Sequence, residues 1–107
     1  MPSAATESVF KVLADPTRRA VFEQLSRHEL TVSALVERFP ISQPAMSQHL
    51  SALRAAGLVA QRRVGRHSYY RVQARGLRPL VAWVDRYRAF WPDKLDKLKS
   101  VLEEMEP

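Results

Sequence analysis

Gln43, Ser47, Gln48 and Ser51 lie within the stretch ISQPAMSQHLSALRAAGLV, residues 41–59. Wound into a helix, Met46, Leu50 and Leu53 are spaced as one buried face, and these four polar residues stand where Lys and Glu would be expected on the polar side. A helix facing water usually shows long charged side chains, yet Arg54 is the only charge within this one. Short amides and hydroxyls can do one thing well: hydrogen-bond to the polar edges of whatever they face. Gln pairs in a bidentate way with adenine, and Ser serves bases or phosphates. A second constellation follows in QRRVGRHSYYR, which carries Arg62, Arg63, Arg66 and Arg71, with His67, and no acid. Guanidinium groups gathered in this way suit phosphates and the minor groove. Arg18 and Arg19 are further candidates for phosphate contact. For Arg19, simple solvation or pairing with Glu23 weighs equally, as it does for most surface charge.

Composition removes several readings; its charge favours a polyanion partner, with a merely basic, solvated surface weighing equally from charge alone. Seventeen Lys and Arg against eleven Asp and Glu give a net charge of +6, with a pI near 10.3. Such an excess favours nucleic acid or, less often, an anionic membrane surface, but residues 93–106 are net acidic, which weakens the membrane reading. With no cysteine there is no disulfide, thiolate metal site or cysteine nucleophile. His28, His49 and His67 are scattered over three elements, so no metal cluster is expected. Three glycines form no phosphate loop, and no nucleophile stands at readable spacing from a base. The chain reads as a non-enzyme without cofactor. It shows no signal peptide and no spanning segment, so a cytoplasmic location is the default.

The elements that must carry these residues are marked by caps and breakers. Val9, Val12 and Leu13 give a short apolar stripe before Asp15-Pro16. Asp15 caps a second helix with Pro16 at its first position, and Val21, Phe22 and Leu25 point inward. Thr31 caps a third helix with Leu35, Val36 and Phe39 on its apolar face, ended by Pro40. Ser42 caps the fourth, Pro44 lies in its first turn, and Gly57 suits the left-handed position just past its end. Residues 58–64 and 67–72 are strand-like around Gly65-Arg66, a hairpin signal. A last helical region begins near 77–79, directs Leu80, Val81, Val84 and Tyr87 inward, and is interrupted at Pro92. Beyond it Leu95, Leu98, Leu102 and Met105 form a narrow seam suited to another helix.

The order helix, turn, helix, hairpin is that of a winged helix-turn-helix, mainly α with a β-hairpin wing and about five to six helices. From Phe10 to Val72 the sequence resembles the ArsR/SmtB family of winged-helix repressors. The resemblance is carried by LADPTRRAVFEQL (13–25), by ELTVSALVERFPISQPAMSQHLSALRAAGLV (29–59) and by RRVGRHSYYRV (62–72). It implies a homodimer that binds an inverted-repeat operator and represses, with an inducer releasing it. Arsenic-type members carry two cysteines where Thr31 and Ser33 stand here. Zinc-type members use carboxylates and histidines of the last helix, a region that here has Asp85 and no histidine. The C-terminal LRPLVAWVDRYRAFWPDKLDKLKSVLEEM resembles the branch without metal ligands, the autorepressors.

The sequence thus leads to one winged-helix DNA-binding domain over 1–107, with 1–14 and 77–107 as dimerisation helices. The expected partners are double-stranded DNA and a second copy, with a small-molecule or protein effector left open. DNA contact is expected from Ser42, Gln43, Pro44, Ser47, Gln48, His49, Ser51, Arg62, Arg63, Arg66, His67 and Arg18. Dimer contact is expected from Val9, Val12, Leu13, Trp83, Tyr87, Phe90, Trp91, Leu95, Leu98 and Leu102, since aromatics are enriched in interface cores. The same aromatics could instead line a ligand pocket. The competing function is a winged-helix protein-interaction module that binds no DNA. Such a module has no need of four wing arginines.

Overall fold

The computed structural model describes residues 3–88 and 91–105. The elements run α1 (Ala4–Leu13), α2 (Pro16–Arg27), β1 (Leu30–Thr31), α3 (Val32–Arg38), α4 (Gln43–Ala55), β2 (Val59–Val64), β3 (His67–Val72), a 3-10 turn (Ala74–Leu77), α5 (Arg78–Asp85) and α6 (Trp91–Met105). Four helices begin on a side-chain cap of one kind. Ser3, Asp15, Thr31 and Ser42 each accept from the backbone N–H three residues on, which satisfies one of the first-turn donors left without a helical partner. α4 ends as sharply as it starts. Gly57 takes φ 77°, its N–H donates to Arg54 O, and the Leu58 N–H donates to Leu53 O at 3.0 Å. This double closure needs a left-handed residue at position 57, which glycine occupies without a Cβ clash.

The core is small and central. Val9, Val21, Leu25, Leu35, Met46, Leu50, Leu53, Leu58 and Val59 are buried, drawn from α1 to α4 and the start of β2. Three of them, Met46, Leu50 and Leu53, hold one face of α4 to the body, so its opposite face is left to solvent. Tyr70, Val72, Leu77 and Leu80 close the core from the sheet and the C-terminal side.

The hairpin pairs in the expected register, Val59 with Val72 through Val64 with His67. The left-handed turn residue is Gly65, at φ 62°. The sequence reading missed a third strand. Leu30 and Thr31 pair antiparallel with Tyr70 and Tyr69, giving the order β1-β3-β2. Two residues carry no period of their own, and only the ladder makes them a strand.

The C-terminal part departs from expectation in two ways. Of the residues expected inward in the last helical region, Leu80 packs against the core, whereas Val81 and Tyr87 are exposed in the single chain. And α5 ends at Asp85, while Pro92 falls in the first turn of α6, where its missing N–H costs nothing. α5 lies against α1: the Thr6 hydroxyl donates to Pro79 O at 3.3 Å, and Phe10 meets Trp83 edge-on at 5.3 Å. Leu98, Val101, Leu102 and Met105 are exposed along α6. Phe90, and the side chains of Trp91 and Leu95, lie outside the described residues.

Candidate nucleic-acid interface

α4 brings together most of the residues singled out by type and spacing. Ser42, Gln43, Pro44, Ser47, Gln48 and Ser51 are all exposed, and His49 is half-buried at the edge of the same face. The wing extends this surface. A cleft of about 200 Å³ is lined by Thr31, Val32, Ser33, Gln43, Arg66, His67 and Ser68. The starts of both helices of the helix-turn-helix and the tip of the wing therefore border one concavity. A relay ties the last turn of α4 to the hairpin: Arg54 donates to Gln61 at 2.7 Å, and Gln61 donates to Ser68 at 2.9 Å. Sequence reasoning missed this link, because the partners belong to a helix and a strand whose register only the fold defines.

The wing arginines divide into two sets. Arg63 and Arg66 stand at or beside the tip and have no acid partner among the described residues. Arg62 and Arg71 lie further down, cross-strand from Tyr69 and Ala60. Both reach Glu29, the residue before β1. Arg62 forms a hydrogen-bonded ion pair with it, and Arg71 approaches to 3.9 Å. Arg62 also lies over the Tyr69 ring at 5.5 Å. The expectation that the wing lacks a balancing acid is thus corrected. The acid is supplied from outside the hairpin, across the β1–β3 ladder.

Arg18 and Arg19 also have local duties that the sequence did not reveal. The Arg19 guanidinium donates to Leu13 O at 2.8 Å, capping the carbonyl end of α1. Arg18 is half-buried and donates to Val12 O and to His49 Nδ1, each at 3.4 Å. Its backbone N–H, donating to the cap carboxylate, holds Asp15 below the usual aspartate range. Val9 is buried within the single chain and supports α1 from inside.

Among the described residues no group of His, Asp and Glu could hold a metal ion, and no helix is long and apolar enough to cross a membrane. The comparisons fit this geometry. A family model described as a helix-turn-helix domain matches residues 13–62. HTH-type transcriptional regulator Rv2034 of Mycobacterium tuberculosis (strain ATCC 25618 / H37Rv) is 40% identical over 97 residues, spanning 91% of this chain and 88% of its own length. The solved ArsR-like transcriptional regulator from Rhodococcus sp. RHA1 superposes with a TM-score of 0.73 at 36% identity, covering 92% of each chain. The chain belongs to the ArsR/SmtB family of winged-helix transcriptional regulators. A further solved relative is a homodimeric winged helix-turn-helix DNA-binding domain from Mycobacterium bovis, described as a possible ArsR-family regulator. It has a TM-score of 0.64 at 30% identity, with 78% of this chain and 80% of that one covered.

In this ArsR-family regulator the two positions that hold cysteine in arsenic-type members, Thr31 and Ser33, border the cleft beside Gln43 and Arg66. Thr31 is committed to capping Ala34. Glu29 gives the wing a measurable acid response. The Arg62 hydrogen bond holds its carboxyl below the usual glutamate range, with Arg62 and Arg71 charges adding to the effect. A depressed carboxyl contributes stability above its unfolded-state pKa, and that contribution is lost as pH falls through the folded value. The Glu29 carboxyl carbon, followed by NMR, is expected to titrate below the usual range in the wild type and to return towards it in Arg62→Ala. An unchanged midpoint would mean that the pair does not persist in solution.

Proposed function

We propose that the protein acts as a homodimeric repressor on a pseudo-palindromic operator, in the cytoplasm, with α4 as its recognition helix. The observation that supports this reading is the cleft shared by the start of α4 and the wing tip, lined by Gln43, Arg66 and His67, with Ser47, Gln48 and Ser51 exposed along the same helix and Arg63 and Arg66 without an acid partner among the described residues. The dimer would set two α4 helices in successive major grooves, about 34 Å apart. Gln43, Ser47 and Gln48 supply sequence readout. Ser42, Pro44, His67 and the tip arginines set register and affinity on the phosphates. Arg62 and Arg71 add less net charge than their number suggests, because Glu29 accompanies them.

The dimer is assigned to the α1–α5 side. Phe10, Trp83 and Tyr87 form an aromatic set, the first pair edge-on and the second tilted at 5.1 Å. Phe10 and Tyr87 are 40% and 41% exposed in the single chain. Val12 and Leu13 flank it, and Leu98 and Leu102 of α6 offer a further apolar edge. Phe90, Trp91 and Leu95 complete the proposed contact set in sequence. A small-molecule or protein effector acting on this side would loosen DNA through the dimer.

Two substitutions separate readout from attraction. Gln48→Ala is expected to relax specificity at one operator position, with a loss of about 1–3 kcal/mol of discrimination. Arg66→Ala is expected to weaken operator and scrambled DNA alike and to reduce the salt slope by about one per protomer. Both are read by binding titrations across a salt series. Glu29→Gln is expected to do the opposite of Arg66→Ala: it frees Arg62 and Arg71 and raises affinity for scrambled DNA several-fold at low salt.

A further inference from the structure

We infer that Arg18 is a positioning residue, a strut that ties the dimer-side helix α1 to the recognition helix α4 through His49 and so sets the spacing at which two half-sites are read. The inference rests on the DNA-binding reading above and adds a specificity determinant to it. One guanidinium reaches two helices. Nη1 donates to Val12 O at the end of α1, and Nε donates to His49 Nδ1 on α4. Its own backbone is fixed by the Asp15 cap at the start of α2. Arg19 closes the same joint from the other side, on Leu13 O. The short connection between α1 and α2 is therefore clasped by side chains and is a poor hinge.

The chemistry of the contact is selective. For Nδ1 to accept, the His49 proton must sit on Nε2. A lysine would keep the charge but has no rigid fork with which to hold two acceptors at once. His49 is the neighbour of Gln48 and lies one turn or less from Ser47 and Ser51. A change in the pitch of α1 is thus delivered to the readout row without passing through the hydrophobic core. Arg18 is half-buried by these contacts, whereas an arginine held mainly for phosphate contact would extend from the surface.

The experiment uses the full chain and an operator duplex selected from a random pool, rebuilt with one base pair added or removed between the half-sites. The variants are Arg18→Gln, Arg18→Lys and His49→Ala, each checked for an unchanged thermal midpoint. The wild type is expected to lose about tenfold in affinity when the spacing changes, since one base pair rotates the second groove out of phase. All three variants are expected to bind the spacing series within about threefold, with the salt slope unchanged. Retained spacing discrimination, with a salt slope lowered by about 0.9 per protomer in Arg18→Gln and restored by Arg18→Lys, would overturn the strut in favour of a phosphate contact. Imidazole 15N shifts of His49 in DNA-free protein give an independent arm. They should report a protonated Nε2 and an accepting Nδ1, and should change in Arg18→Gln; identical shifts would also overturn the inference. Absence of any specific wild-type binding would instead remove the operator reading, and the free-protein shifts would still decide the strut.

Discussion

Gly76→Ala is expected to unfold the protein under conditions in which the wild type is stable. A Cβ at residue 76 would lie 2.0 Å from Gly57 O, 2.6 Å from its carbonyl carbon and 3.1 Å from the Leu58 Cα. All three are backbone atoms, so no flexible side chain can move aside. They also belong to the closure of α4, where Leu58 turns into the core and its carbonyl accepts from the Gln73 N–H at 2.8 Å. Relief requires parting the 3-10 turn from the end of the recognition helix. Overpacking of this kind costs about 3 kcal/mol or more when the obstacle is rigid. For a domain of this size that lowers Tm by about 12 °C or more. Thermal unfolding followed by circular dichroism checks it. A loss below about 1 kcal/mol would mean that the turn does not pack on Gly57 in solution.

Phe10→Glu is expected to leave the fold standing and abolish tight operator binding. Phe10 keeps 40% of its surface exposed in the single chain, so the monomer can tolerate a polar residue there at the cost of one edge-on contact with Trp83. Across a two-fold axis the same patch meets its own copy. Two carboxylates brought together there would be desolvated without partners, which is the costly case. Losing the dimer makes the second half-site a separate binding event and lowers operator affinity by about a hundredfold or more. Single half-site affinity should hardly change. Sedimentation and titration on one and two half-sites read both quantities. A variant that stays dimeric would move the interface away from α1 and α5.

How much of this was legible depended on whether a feature is local. Asp15-Pro16, Thr31, Ser42 and Gly57 announce helix boundaries because caps and breakers act within four residues of themselves. The α4 face was legible because Met46, Leu50 and Leu53 settle which side is inward. Features joining distant segments were not. β1 exists only because Tyr69 and Tyr70 pair with it. The pairing of Arg62 with Glu29 spans 33 residues, and the return of Arg18 to His49 spans 31. The stripe Val9, Val12, Leu13 told that one side of α1 is apolar. It could not tell that Val9 faces the chain's own core, because burial against self and against a partner use the same residue types.

The most direct test of the central claim is selection of the purified protein against a random duplex pool, followed by footprinting of the recovered DNA against a scrambled duplex across a salt series. Two half-sites related by a pseudo-two-fold, centred about 34 Å apart, protected by a dimer and steeply weakened by salt, are the expected result. No binding to any duplex even at low salt would contradict the account.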